Sequence, residues 1–175
     1  KEEYWHDKKW KKTDFSVERI KVRGQESIKD TTILTHHGAV ISHDTFEKMP
    51  RYGSGLSVGR AMSWLAIKPS MEPKSFYMLN KAKDYDDYLE AISNFSCPGQ
   101  NIIFASKDND IAIWHTNEMI PKWDLQGRFI MDGTDPSHDW KDSVPFNHRP
   151  HAKNPDRAFL SSANQNPVEP SYPYY

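Results

Sequence analysis

The stretch Gln100-Asn-Ile-Ile-Phe-Ala-Ser-Lys-Asp-Asn-Asp-Ile-Ala-Ile-Trp-His-Thr116 decides the fold of this chain, read together with Ser161-Ser-Ala-Asn-Gln-Asn-Pro167. In the first, apolar residues of strand-forming type flank a short polar break. Asp and Asn tolerate the left-handed backbone that a tight turn needs, so Lys107-Asp-Asn-Asp110 predicts the turn of an antiparallel hairpin over Asn101 to Trp114. In the second, Arg157 to Ser161 predicts a short strand. It leads into small side chains and the amide of Asn164.

Working back from the hairpin, Tyr85, Tyr88, Leu89, Ile92 and Phe95 recur at helical spacing behind Asp84, a good N-cap, and Pro98-Gly99 closes the helix. Ser75 to Lys83 predicts a shorter helix before it. Further upstream, Phe15 and Val17 alternate with polar residues, and Ile20 and Val22 resume the alternation out of phase. A strand over Phe15 to Arg23 with a one-residue bulge accounts for that shift. Gly24-Gln-Glu26 makes a turn, and Thr31 to Thr35 and Ala39 to Ile41 complete a small meander. Ala61 to Ile67 predicts a compact apolar strand containing Trp64.

Pro50, Gly53, Gly55 and Gly59 mark a loop between Ser42 and Gly59. From Thr116 to Asn154 the chain reads as a long irregular stretch tied down by Trp123, Phe129, Trp140 and Phe146, and the tail to Tyr175 reads as extended. The expected fold is α+β, mainly antiparallel sheet with a few helices and long loops, in one domain over residues 1–175.

Twenty-three basic against 24 acidic residues leave a net charge of −1. That balance gives no electrostatic reason to expect nucleic acid or an anionic membrane as partner. No apolar run approaches the roughly 20 residues of a membrane span. The single cysteine, Cys97, makes no internal disulfide and no Cys pair for zinc. Beside Pro98 at a helix end it reads as inert. Aromatic residues make up 13% of the chain, with six Trp, enough to line a sugar- or peptide-binding groove as well as to pin loops.

Eight histidines invite a metal reading. His36 and His37 are adjacent, and on a strand their side chains would face opposite ways. His138, His148 and His151 share a loop with Asp135, Asp139 and Asp142 at spacings that match no zinc template. Structural or surface roles are expected for all of them, and no metal ligand is assigned. Asn164 stands out instead. Small Ser162 and Ala163 beside it would let a ligand approach, and its amide suits an oxyanion formed in acyl transfer. The same residue also suits a turn cap before Pro167.

The order of segments resembles the β-subunit of the penicillin acylase family of N-terminal nucleophile hydrolases. Tyr4-Trp-His-Asp-Lys-Lys-Trp10 before Phe15-Ser-Val-Glu-Arg-Ile-Lys-Val22 is similar to an aromatic hairpin and charged strand of that family. Thr35-His-His-Gly-Ala-Val-Ile41 resembles its Thr-x-His-Gly-Pro-Val-Ile run. Arg60 to Ile67, Phe76 to Ala82 and Tyr85 to Phe95 resemble its strand and paired helices. Gln100-Asn-Ile-Ile-Phe-Ala105, Asp110-Ile111 and Ile120-Pro121 resemble its Gln-Asn-aromatic-Ala-Asp, Gly-Asn-Ile and Ile-Pro signature.

The resemblance implies part of an αββα sandwich and an amidase that acts on a small N-acyl amide. Asn164, within Ala163-Asn164-Gln165, matches the family's oxyanion amide, and Gln100 matches a position lining the acyl pocket. Ser106 replaces the usual Asp, and Asn109 the turn Gly. Gln100 is polar where phenylacetyl-specific members carry an aliphatic side chain. Gly127 stands where a proline carbonyl helps to hold the family's calcium, so calcium is expected, if anywhere, only in the longer protein.

The family's nucleophile is a Ser whose own α-amino group acts, through water, as the base. Lys1 does not match it. The expectation is therefore an interior segment of an acylase β-chain, inactive alone and completed by the remainder of the acylase chains, with export implied for the parent by resemblance. A non-catalytic aromatic-rich binding module and a degenerate acylase scaffold are the rival readings.

Overall fold

The computed structural model describes residues 3–42, 59–163 and 165–174. The chain divides into two compact units, Lys1–Trp64 with Gln126–Asp139, and Leu65–Leu125 with Trp140–Tyr175.

The first unit opens with the aromatic hairpin that the family resemblance implied, β1 (Glu3–His6) paired antiparallel to β2 (Lys9–Lys12). Its two turn residues, Asp7 at φ 49° and Lys8 at φ 59°, both take the left-handed conformation. A two-residue turn of this kind matches the twist of the flanking strands. Trp5 and Trp10 pair across the strands, edge to face at 5.4 Å.

The meander follows as a four-stranded antiparallel sheet in the order β3 (Asp14–Ile20), β4 (Ile28–Thr35), β5 (Gly38–Ser42), β6 (Arg60–Met62). The expected bulge in β3 is not there, because its register with β4 is continuous from Asp14↔Leu34 to Ile20↔Ile28. The irregularity lies in β5, between Val40 and Ser42. Phe15, Val17 and Ile20 are all about half exposed, so no buried face imposes a phase on the strand. The strand expected over Ala61 to Ile67 stops at Met62, and Leu65–Ile67 forms a single 3₁₀ turn with Trp64 and Ile67 exposed.

The second unit carries the helices. α1 (Glu72–Leu79) has Pro73 in its first turn, where a missing N–H costs nothing, and so begins earlier than the expected Ser75. α2 (Tyr85–Ser93) starts as predicted, with the Asp84 carboxylate accepting from the Asp87 N–H at 2.9 Å. The hairpin is β7 (Asn101–Ala105) with β8 (Ile111–His115), in register from Asn101↔His115 to Ala105↔Ile111. Its turn holds Asn109 at φ 66°, and the Ser106 hydroxyl accepts from the N–H groups of Asp108 and Asp110. Ser106 thus acts as the side-chain acceptor that organises the turn.

Arg157 to Ser161, expected as a strand, is irregular, with Ala158 at φ 55° and Arg157 Nε donating to the Phe159 carbonyl. The third strand of this sheet is instead β9 (His151–Lys153), paired to β8 through Ala112↔Lys153, Ile113↔Ala152 and Trp114↔His151.

The core is built where α2 covers this sheet. Tyr88, Ile92 and Trp114 are buried, with Leu79, Tyr85, Leu89, Ile102, Phe104 and Phe146 packed against them. Trp114 lies between Phe146 and His151, stacked on each at 4.8 and 4.0 Å. Its indole N–H donates to the Tyr85 hydroxyl, and the Tyr88 hydroxyl donates to the Ile102 carbonyl, so both polar tips are satisfied.

Candidate functional site

Two constellations emerge from these elements, one in each unit. In the second, Gln100 stands just before β7. Its carbonyl accepts from both the N–H and the hydroxyl of Thr116, which fixes its backbone while the residue itself is exposed. Next to it, Asn101 donates through its amide nitrogen to Ser162 Oγ at 2.7 Å. The Asn101 amide oxygen lies 3.0 Å from His115 Nδ1. An amide oxygen only accepts, so Nδ1 of His115 carries the proton and Nε2 is the unprotonated nitrogen.

Burial above all, then the Arg149 cation, holds His115 below the ordinary imidazole pKa and keeps it neutral. The network joins the paired ends of β7 and β8 to the segment that leads into Asn164. Beyond it, the Gln165 side chain folds back, accepting from the Ala163 N–H and donating to the Ser161 carbonyl.

Asn164 lies outside the described residues, as does Gly53-Ser-Gly55, which the sequence suggests is a flexible turn. The expectation that no Gly-x-Ser-x-Gly elbow occurs in the chain is wrong, since Gly55-Leu-Ser-Val-Gly59 has that spacing, and all of it but Gly59 lies outside the described residues. Sequence reasoning singled out Gln100 but missed Asn101, His115 and Ser162. The register Asn101↔His115 was implicit in the hairpin; the partner Ser162, 61 residues on, was not.

In the first unit, His6, His36, His37 and Asp139 converge, with one potential ligand atom from each lying within 4.8 Å of all the others. The expectation that His36 and His37 face opposite ways fails, because both sit in the turn between β4 and β5 and not on a strand. Their rings lie 3.8 Å apart. Asp139 ends the 3₁₀ turn Pro136–His138, whose N-cap is Asp135, and faces His6 Nε2 at 3.2 Å, His36 Nε2 at 3.2 Å and His37 Nδ1 at 3.7 Å.

Burial lowers the His36 pKa from its ordinary value, helped by His37 and His6 and opposed by the hydrogen bond with Asp139. Calcium prefers oxygen ligands and does not fit this nitrogen-rich set. No other group of three or more His, Cys, Asp or Glu side chains converges among the described residues.

The architecture has its counterpart in a solved enzyme. Thermostable penicillin G acylase from Alcaligenes faecalis matches 99% of this chain with a TM-score of 0.69 at 24% identity, the match taking in 30% of that chain. The fold is therefore α+β, similar to that of part of this enzyme. The chain belongs to the penicillin amidase family, whose sequence profile matches residues 1–175.

Relatives include the acyl-homoserine lactone acylase QuiP of Pseudomonas syringae pv. tomato, 24% identical over 170 residues, and that of Pseudomonas aeruginosa, 24% identical over 173. Each match covers 97% of this chain, which spans about a fifth of the length of these relatives.

Proposed function

We propose that the protein to which this chain contributes hydrolyses a linear or β-lactam-bearing N-acyl amide by an acyl-enzyme route. An N-terminal Ser supplied outside residues 1–175 attacks the carbonyl, and its own amine serves as base through water. Asn164 donates to the oxyanion of the tetrahedral intermediate, and Gln100 lines the acyl pocket. The nucleophile not being its own, the chain by itself is inactive, and the rest of the acylase is its partner. The observation that carries this reading is the family match over residues 1–175, and the assignment of Asn164 rests on the resemblance of Ala163-Asn164-Gln165 to the family's oxyanion element.

The QuiP relatives extend the reading to N-acyl homoserine lactones, which present the same amide beside an acyl chain. Gln100 is exposed in this chain, and a polar side chain there favours acyl groups that bring a hydrogen-bonding group, since covering it with a purely apolar ligand would leave its amide unpaired.

The test uses the full-length protein. Mass spectrometry of its mature chains is expected to find a new Ser N-terminus, and a panel of N-acyl homoserine lactones and phenylacetamides is expected to be hydrolysed. Asn164→Ala should lower kcat by about 10²- to 10³-fold, the cost of one oxyanion donor. An unprocessed and inactive protein would turn the assignment to a degenerate scaffold or a binding module. A loss under threefold would remove Asn164 from the mechanism.

A further inference from the structure

Of the three histidines around Asp139, His6 and His37 are placed in a way that hydrogen bonding alone explains poorly. His6 Nδ1 lies 3.1 Å from the Gly133 carbonyl, and His37 Nε2 lies 2.8 Å from the same oxygen. A carbonyl oxygen only accepts, so both of these nitrogens carry protons. In the neutral rings the other nitrogens, His6 Nε2 and His37 Nδ1, then present lone pairs to a carboxylate that is itself only an acceptor. His36 has its Nδ1 on the Tyr4 hydroxyl at 3.0 Å, a group that can donate as well as accept, and its Nε2 faces Asp139 at 3.2 Å. Every outward nitrogen is thus engaged, and every inward one is aimed at the same carboxylate.

We infer that His6, His36, His37 and Asp139 form a binding site for a first-row divalent cation, with zinc as the best fit. Three imidazoles and one carboxylate are a donor set suited to zinc. In a tetrahedral site with bonds of about 2.0–2.1 Å, ligand atoms stand about 3.3 Å apart. The distances of 3.2, 3.2 and 3.7 Å from Asp139 already approach that spacing. The outer hydrogen bonds to Gly133 and Tyr4 are of the kind that orient metal-bound histidines and fix their tautomers. Gly133 keeps this contact close, since a Cβ there would stand 3.1 Å from His37 Nε2 and press on the ring.

Four protein ligands leave no open position, which makes the site structural. The first unit has use for one. All the buried hydrophobic side chains among the described residues belong to the second unit, and the most buried side chain of the first is His6 itself, at 2% exposure. A metal holding the β1–β2 hairpin, the β4–β5 turn and the loop from Asp132 to Asp139 would supply cohesion that apolar burial does not.

The test is carried out on the full-length protein, stripped with chelator and titrated with Zn²⁺, then with Co²⁺ as a spectroscopic probe. About one zinc per chain is expected, with the intense visible absorption of tetrahedral cobalt. His36→Gln removes a half-exposed ligand and should weaken zinc binding by about 100-fold or more. Gly133→Ala keeps all four ligands but disturbs the shared carbonyl, and should weaken it by about 10- to 100-fold.

Near-ultraviolet circular dichroism of each variant confirms that the fold persists, and should either fail to fold, the other variant and the wild-type cobalt spectrum decide. Wild-type protein that binds neither ion, or variants that bind as the wild type does, would overturn the site and leave a cluster held by protons alone.

Discussion

The Asn101 side chain reaches across 61 residues of sequence to donate to Ser162 Oγ at 2.7 Å, while its oxygen holds His115 at 3.0 Å. The segment leading into Asn164 is thereby fastened to the open end of the β7–β8 hairpin. If that segment delivers the oxyanion donor, Asn101 is a positioning residue.

Asn101→Ala should therefore lower kcat of the full-length enzyme by about 10- to 100-fold, the cost of an ångström-scale misplacement of a catalytic group, with KM little changed. Ser162→Ala should produce a similar loss, and the double variant should lose little more than either alone, since the two act through one bond. Steady-state kinetics of the three variants on one N-acyl amide checks this. Losses that simply multiply would separate the two residues.

Trp114→Ala should cost about 3–5 kcal/mol of stability in the second unit. The ring fills the space between Phe146 and His151, and its loss also leaves the Tyr85 hydroxyl without that donor. Urea denaturation followed by circular dichroism measures the effect. A change below 1 kcal/mol would mean that the stack collapses without cost.

Asp84→Ala should destabilise α2 by about 1 kcal/mol, the usual worth of an N-cap. The cap is reciprocal, because the Asp87 carboxylate in turn accepts from the Lys83 N–H at 2.9 Å. Asp84→Asn retains an acceptor and should recover most of the loss, as read from the urea midpoint.

Glu72 gives the protein an acid-sensitive joint. The Ser70 hydroxyl above all, then the N–H groups of Cys97 and Ser96 among others, outweigh burial and hold its carboxyl at about 2, down from an ordinary 4.5. A depressed folded-state pKa contributes stability that is fully present above the unfolded value and is lost as pH falls through the folded one. The window is therefore pH 4.5 down to about 2. Glu72→Gln should lower stability at neutral pH and flatten the pH dependence within that window, as followed by urea midpoints at successive pH values. An unchanged slope would remove Glu72 from the acid response.

The β7–β8 hairpin and α2 were legible in the sequence because their determinants are local. An Asp-Asn-Asp turn, an Asp cap and apolar residues at helical spacing each act within a few positions. β9 was not legible, since three residues between Pro150 and Pro155 carry no periodicity and form a strand only because β8 offers an edge. The phase of β3 misled for a related reason. With its apolar residues half exposed, the alternation that signals a buried face had no face to report.

By itself, then, the sequence determined the local elements, the order of segments that places the chain in the penicillin amidase family, and Gln100 and Asn164 as residues to test. Tertiary structure decided what distant residues do together. Asn101 with Ser162, Trp114 with His151, and His6 with His36, His37 and Asp139 are joined by folding across dozens of positions. Side chains with several hydrogen-bonding or stacking modes, such as histidine and asparagine, take their role from the partner that the fold brings to them, and no spacing in the chain encodes that partner.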